Sequence, residues 1–221
     1  MSRPLAAKPL PTVLLTGFDP FGGESLNPSW QAVQSLHHKR IAGHKIVAAQ
    51  LPTVFGASLR ELARLLRAHQ PALVICVGQA GGRAAISLER VAINVNDARI
   101  PDNAAVQPVD TAVVVNGPAA YFTRLPIKAM LQALQHAGIA AEVSQTAGTF
   151  VCNHVFYGLM HELATRRGFK RTRGGFVHVP WLPGQGEPSM PTEELVRGLR
   201  VAIAAALATT SDIVQGAGAI N

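Results

Sequence analysis

The sequence predicts an α/β fold, a single-domain three-layer α/β/α sandwich with a mostly parallel, mixed central sheet. Short apolar strand-like runs recur along the chain, and amphipathic segments at helical spacing separate them. The chain has 221 residues, 48% of them hydrophobic, and no Pro/Gly/Ser-rich or charge-run linker in its middle, so it can bury one full core.

Residues 12–17, 45–51, 72–78, 91–95, 141–145 and 175–179 read as strands. The first helix opens at Asn27 and Pro28, since Asn caps well and Pro suits the first helical position; Trp30, Val33 and Leu36 then face one way. A second helix over 57–69 carries Leu59, Leu62, Leu65 and Leu66 on one stripe. A third starts near Pro126, buries Ile127, Met130, Leu131 and Leu134, and stops at Gly138. The fourth, 152–167, repeats Val155, Phe156, Leu159, Met160 and Leu163 and ends at Gly168. The fifth, 193–208, has acidic residues in its first turn, where the helix dipole favours them. Residues 1–11, Pro-rich and lacking a continuous apolar core, read as a loose leader rather than a signal, and 12–221 as one domain.

No apolar run reaches the roughly 20 residues of a membrane helix, so no membrane partner is expected, and a cytoplasmic location is. The net charge of +7 would suit an acidic partner, nucleic acid included. The densest basic group, Arg166, Arg167, Lys170, Arg171 and Arg173, falls inside one helix-to-strand connection, with Phe169 the single aromatic within it. It reads as a solvated loop without the aromatic interleaving of a single-strand surface, and no nucleic-acid partner is expected.

Two cysteines, Cys76 and Cys152, give neither a disulfide framework nor a metal cluster. His154 and His161 could share a helix face but find no third ligand at metal spacing. His161-Glu162 resembles the start of a zinc-protease helix, yet Thr165 stands where the second His belongs. No metal is expected.

Cys152 follows a strand, in Thr146-Ala-Gly-Thr-Phe-Val-Cys-Asn-His, at the first turn of a helix. Unpaired N–H groups there favour a thiolate and could receive an oxyanion, so its pKa is expected to fall. Position alone leaves a nucleophile and a small buried apolar residue equally open. Cys76, inside Leu73-Val-Ile-Cys-Val-Gly, reads as core. A thiol nucleophile needs a base, and His178 is best placed, at the end of a short apolar strand closed by Pro180. A satisfied core histidine is the alternative. Glu89, in Ile86-Ser-Leu-Glu-Arg-Val-Ala-Ile-Asn, has the parity of Val91, Ile93 and Val95 and should share their apolar face, where an imidazolium could pair it. A structural pair with Arg90 competes, although Arg90 should point the other way.

Two glycine turns follow strands. In Gly17-Phe-Asp-Pro-Phe-Gly-Gly, Phe18 and Phe21 could clamp a flat ligand or tuck back on the core. Gly78-Gln-Ala-Gly-Gly-Arg lacks dinucleotide spacing and precedes a strand-like stretch, so it supports a nucleotide site weakly.

Taken together, LLTGFDPFGGESLNPSW, VGQAGGRAAISLERVAIN with DARIPDN, TAGTFVCNHVFY and GFVHVPWLP, from Val13 to about Ala206, resemble the pyroglutamyl peptidase I family in order and spacing. The resemblance implies a cysteine peptidase with a Cys152–His178–Glu89 triad that removes N-terminal pyroglutamyl residues from peptides. It further implies no cofactor, an intracellular setting and a homo-oligomer, dimer or tetramer. By the same resemblance Phe18 and Phe21 enclose the lactam ring, Gln79 hydrogen-bonds its amide, and Arg99 lies near the site to help with the oxyanion or with positioning. The chain departs from the family pattern at Ala104-Ala105-Val106, and its 166–173 segment is more basic. A phosphate-using or nucleoside-binding relative, or a nucleic-acid binder, are the competing readings; neither accounts for Cys152, His178 and Glu89 together.

Overall fold

The computed structural model describes residues 10–218; of the expected leader, residues 1–9 lie outside the described residues. In chain order the elements are β1 (Thr12–Phe18), α1 (Pro28–Gln34), β2 (Arg40–Ile41), β3 (His44–Leu51), α2 (Ala57–His69), β4 (Leu73–Gln79), β5 (Ile86–Glu89), β6 (Val91–Ile93), β7 (Ala120–Phe122), α3 (Ile127–His136), β8 (Ala141–Ser144), α4 (Val151–Thr165), β9 (Arg173–Val179) and α5 (Thr192–Ala208). A short 3-10 turn, Arg167–Phe169, lies within the basic connection.

Seven strands form one sheet in the order β2-β3-β1-β4-β9-β5-β8. β3, β1, β4 and β9 are mutually parallel, while β5 joins β9 antiparallel and β8 runs parallel to β5, so the sheet is mixed. Alternation along each strand splits the core into two layers. One face sends Val13, Leu15, Ile75, Val77, Ile86, Leu88 and Val177 toward α1, α3 and α5. The other sends Leu14, Val74, Cys76 and Phe176 toward α2 and α4. The apolar strands expected at the centre are central because both their faces are covered.

The helix ends follow local chemistry. Asn27 caps α1, its Oδ1 accepting the Ser29 N–H at 3.0 Å and the Ser29 hydroxyl at 2.7 Å. α2 stops at Gln70 in the left-handed region. The Asp212 carboxylate, far along the chain, accepts the N–H groups of Lys128 and Ala129 and so caps α3 from outside. α4 is buried almost all round, packed on β9 and α2 and covered by β6 and β7. Among the described residues no helix is long and apolar enough to cross a membrane.

One expectation fails. Glu89 and Val91 to Val95 do not share a strand. The chain breaks at Arg90, whose N–H goes to Ser144 and whose carbonyl accepts Thr123 N–H. β5 stays in the main sheet, whereas β6 pairs with β7 in a separate two-stranded sheet. There Ala92 is the buried residue and Val91 and Ile93 are half-buried, the reverse of the expected parity.

Candidate active site

Strand register brings the site together. In the parallel β4–β9 pair, Gly78 lies beside His178 and Cys76 beside Phe176. In the antiparallel β5–β9 pair, Ser87 lies beside His178, which sets Glu89 one diagonal step away on the same face. Glu89 is fully buried and His178 is 4% exposed. His178 Nδ1 meets Glu89 Oε1 at 2.7 Å.

Arg83, on the turn after β4, donates from Nη1 to the same oxygen at 2.7 Å. Burial would raise the Glu89 carboxyl, but the hydrogen bond and charge of His178, then the neighbouring Ser144 hydroxyl and the Arg83 bond, outweigh it and hold the group below its ordinary value. An ionised carboxylate only accepts, so His178 Nδ1 carries the hydrogen and Nε2 is left as an acceptor.

Cys152 occupies the first turn of α4. Its sulfur rests on the glycine beside His178: a Cβ on Gly78 would lie 2.7 Å from Cys152 Sγ and 2.8 Å from Phe176 Cζ. Gly78 is thus a close-approach position. Phe150, at the N-cap, supplies no side-chain cap, so the N–H groups of the first turn have no side-chain acceptor from their own cap. Asn153 fastens this turn to β6, accepting Ile93 N–H and donating to the carbonyls of Ile93 and Val95.

The thiol does not behave as its helix position alone predicts. The residue keeps some surface, but enclosure of the sulfur, then the negative charge of Glu89, push its pKa up to about 12 against the opposing pull of Arg83. Burial is the largest influence on the thiol, and it favours the protonated form. Cys76 lies deeper in the same layer and is likewise pushed up to about 12 by burial.

Loops from four strand ends converge above this row. Phe18 is tucked onto Phe176, ring centres 6.3 Å apart, and is only 2% exposed, while Phe21 reaches Phe150 at 6.0 Å. Phe55 meets Phe150 edge-on at 5.5 Å. A cleft of about 380 Å³ opens beside them, lined by Asp97, Arg99, Ile100, Gly148, Thr149 and Phe150. Arg99 is exposed at its rim. Gln79 ends β4, and its Oε1 is buried without a hydrogen-bond partner among the described residues.

His154 ties the loops to α4. Its Nε2 accepts Gly56 N–H at 2.9 Å, so Nδ1 carries the hydrogen that meets Asn96 Oδ1 at 2.9 Å. Burial pushes its pKa down to about 4, keeping it neutral. His161 instead meets the Tyr121 hydroxyl at 3.0 Å. Arg83, Phe55, Phe150 and Asn153 are not among the site residues expected from the sequence. Arg83 was legible as the one charge in a glycine turn, and Asn153 as a polar residue in an apolar helix run; Phe55 and Phe150 meet only through tertiary folding.

Comparison with known proteins follows the same lines. Residues 11–209 match the family described as Pyroglutamyl peptidase. The chain is 58% identical over 217 residues to the pyrrolidone-carboxylate peptidase of Cupriavidus taiwanensis, covering 96% of this chain and all of the relative. It is 53% identical over 212 residues to that of Bacillus cytotoxicus, covering 94% and 98%. The crystal structure of pyroglutamyl peptidase I from Bacillus amyloliquefaciens superposes with a TM-score of 0.90 at 49% identity, covering 94% of this chain and all of that one. Pyrrolidone carboxyl peptidase from Thermococcus litoralis gives 0.89 at 33% identity, with the same coverage. Matched along nearly its whole length in both sequence and fold, the chain belongs to the pyroglutamyl peptidase family of cysteine peptidases.

Proposed function

We propose that the chain removes the N-terminal pyroglutamyl residue from peptides, with Cys152 as nucleophile, His178 as base and Glu89 as the group that orients it, and without a cofactor. The observation that carries this reading is the seat of Cys152 Sγ on Gly78, the register partner of a His178 whose Nδ1 is bonded to buried Glu89. His178 Nε2 takes the thiol proton as the sulfur attacks the carbonyl joining pyroglutamate to the next residue. The tetrahedral adduct collapses, the C–N bond breaks, and His178 returns the proton to the departing amine. Water, deprotonated by the same imidazole, then splits the thioester, releasing pyroglutamate and the thiol. N–H groups of the first turn of α4 would hold the oxyanion, each worth about 3 kcal/mol.

The ring pocket on this reading is built from Phe18, Phe21, Gln79 and Arg99. Phe21, with Phe150, flanks the lactam, and Phe18 supports it from beneath through Phe176. The unpartnered Gln79 Oε1, a buried acceptor with nothing to accept from in the free pocket, suits the lactam N–H. Arg99 lies at the cleft rim, where it can position the substrate or its oxyanion. Prolyl peptides, lacking the ring carbonyl, would leave polar groups of the pocket unpaired and be rejected. The same reading carries a cytoplasmic location and a homo-oligomer, dimer or tetramer, to be checked by fractionation and sedimentation.

Hydrolysis of a fluorogenic pyroglutamyl amide by wild type, Cys152→Ala and Cys76→Ala tests the assignment. The first variant should lose turnover and the second retain it; an active Cys152→Ala enzyme would overturn the nucleophile.

A further inference from the structure

The geometry points to Arg83 as a positioning residue that sets the charge balance of the Glu89–His178 pair and ties it to the turn ahead of Cys152. Its guanidinium forks. Nη1 donates to Glu89 Oε1 at 2.7 Å, and Nη2 donates to the Thr146 carbonyl at 3.1 Å. Thr146 also receives the Ser144 hydroxyl on its carbonyl, and its own hydroxyl accepts Gly148 N–H, in the turn that leads into α4. One side chain therefore spans the orienting carboxylate and the segment that delivers the thiol. Only a planar fork with several donors makes both contacts at once.

The turn that presents Arg83 is itself held. A Cβ on Gly81 would lie 2.1 Å from the Trp181 ring, so the indole rests directly on the backbone two residues before Arg83. Arg83 keeps 27% of its side-chain surface while Glu89 has none, so the guanidinium reaches from the surface to a buried anion.

The electrostatic consequence has a definite sign. Arg83 and His178 share one oxygen, each 2.7 Å from it, so the bonded nitrogens are at most about 5.4 Å apart. Protonated His178 is attracted by Glu89 and repelled by Arg83. Arg83 thus partly cancels the ion pair and favours the neutral imidazole that can act as a base. Among the described residues Cys152 from α4 also faces the pair, and Cys76 from β4 lies near Cys152. Glu142 of β8 is occupied by the Ser87 hydroxyl, and Arg90 turns its guanidinium to Gln145.

This rests on the proposed Cys152–His178–Glu89 reading, which the Cys152→Ala assay tests separately. The experiment is kcat/KM against pH for wild type, R83Q and R83K, together with an NMR titration of the His178 ring in a Cys152→Ala background, which needs no turnover. In R83Q the acid limb and the ring titration should move together to higher pH. R83K keeps the charge at Glu89 but cannot also reach Thr146, so its limb should stay near the wild-type position while kcat falls about tenfold. An R83Q limb that coincides with wild type would overturn the proposal, as would an R83K limb that moves as far as R83Q. Should R83Q fail to fold, R83K decides: a limb displaced from wild type overturns the proposal, and an unmoved limb with lowered kcat supports it.

Discussion

Gly78→Ala isolates the contact on which the site depends. The added Cβ would stand 2.7 Å from Cys152 Sγ and 2.8 Å from Phe176 Cζ, with Cε1 of the same ring at 3.0 Å. Ordinary nonbonded approach is about 3.5–4.0 Å, so the sulfur and the ring must both give, each by about 1 Å. Two effects on stability oppose each other. Removing a glycine from the unfolded chain stabilises by about 0.4–1 kcal/mol, whereas overpacking costs about 1–3 kcal/mol. The net loss is then at most about 2.6 kcal/mol, or up to about 10 °C in Tm for a domain of this size. Activity is far more sensitive, since a 1 Å misplacement of a reacting group costs about 100-fold. Turnover of a pyroglutamyl amide, measured with Tm, should therefore show a roughly 100-fold loss of kcat in an enzyme that is still folded at 25 °C. A folded Gly78→Ala variant with kcat within about threefold of wild type would refute the placement of the sulfur.

Glu89→Gln should lose less activity than His178→Ala, because the first misorients a base that the second removes; pH–rate profiles on both would expose the reverse order. Glu89→Gln also has a signature in stability. The carboxyl lies below its ordinary value in the fold, so the unfolded chain binds the proton more readily. The stability advantage of wild type over the variant should be complete above the ordinary glutamate value of about 4.3 and vanish as pH falls through the folded value, measured by denaturant titration. His154 behaves oppositely in origin: a buried imidazole at about 4 must stay neutral while the unfolded chain protonates near 6.5. Between those values the fold loses stability as pH drops, by about 2 kcal/mol at pH 5. His154→Asn should be less stable than wild type at pH 7.5 yet show a flatter decline toward pH 5; an equal slope in both would remove His154 as the cause.

Much of the architecture is legible in the sequence because it is local. Strand and helix periodicity, the Asn27–Pro28 start and the Gly138 stop depend on neighbours within a few residues, and the corresponding elements form there. The two-residue β2 and the three-residue β6 and β7 carry too few residues for a period. Glu89 is instructive because its burial is read from the wrong premise. Parity with Val91 to Val95 assumes one continuous strand, but the backbone of Arg90 is claimed by Ser144 and Thr123 and the alternation ends there. What buries Glu89 is the register of β5 on β9, a pairing between residues about 90 apart that no local pattern contains. The direction of the Cys152 shift differs from the helix-start expectation for a related reason. A helix N-terminus is visible in the sequence, whereas the enclosure that raises the pKa comes from β4, β9 and α4 meeting.

The reversal of β5 explains how a carboxylate and an imidazole can meet with so little exposure. Had β5 run parallel to β9, its C-terminal residue would have reached the same open rim as His178, where water screens an ion pair. Running the other way, β5 carries Glu89 inward to the level of Phe176, and the carboxylate approaches Nδ1 from the core side. The buried anion then needs compensation, which His178 and Arg83 share at one oxygen. On the proposed reading this leaves Nε2 for a sulfur that is neutral at rest. On that reading His178 Nε2 takes the thiol proton as the sulfur attacks the carbonyl. A thiolate-selective alkylating agent should accordingly react slowly with the free enzyme at neutral pH, and a rate near that of a low-pKa thiol would contradict the enclosed, neutral Cys152.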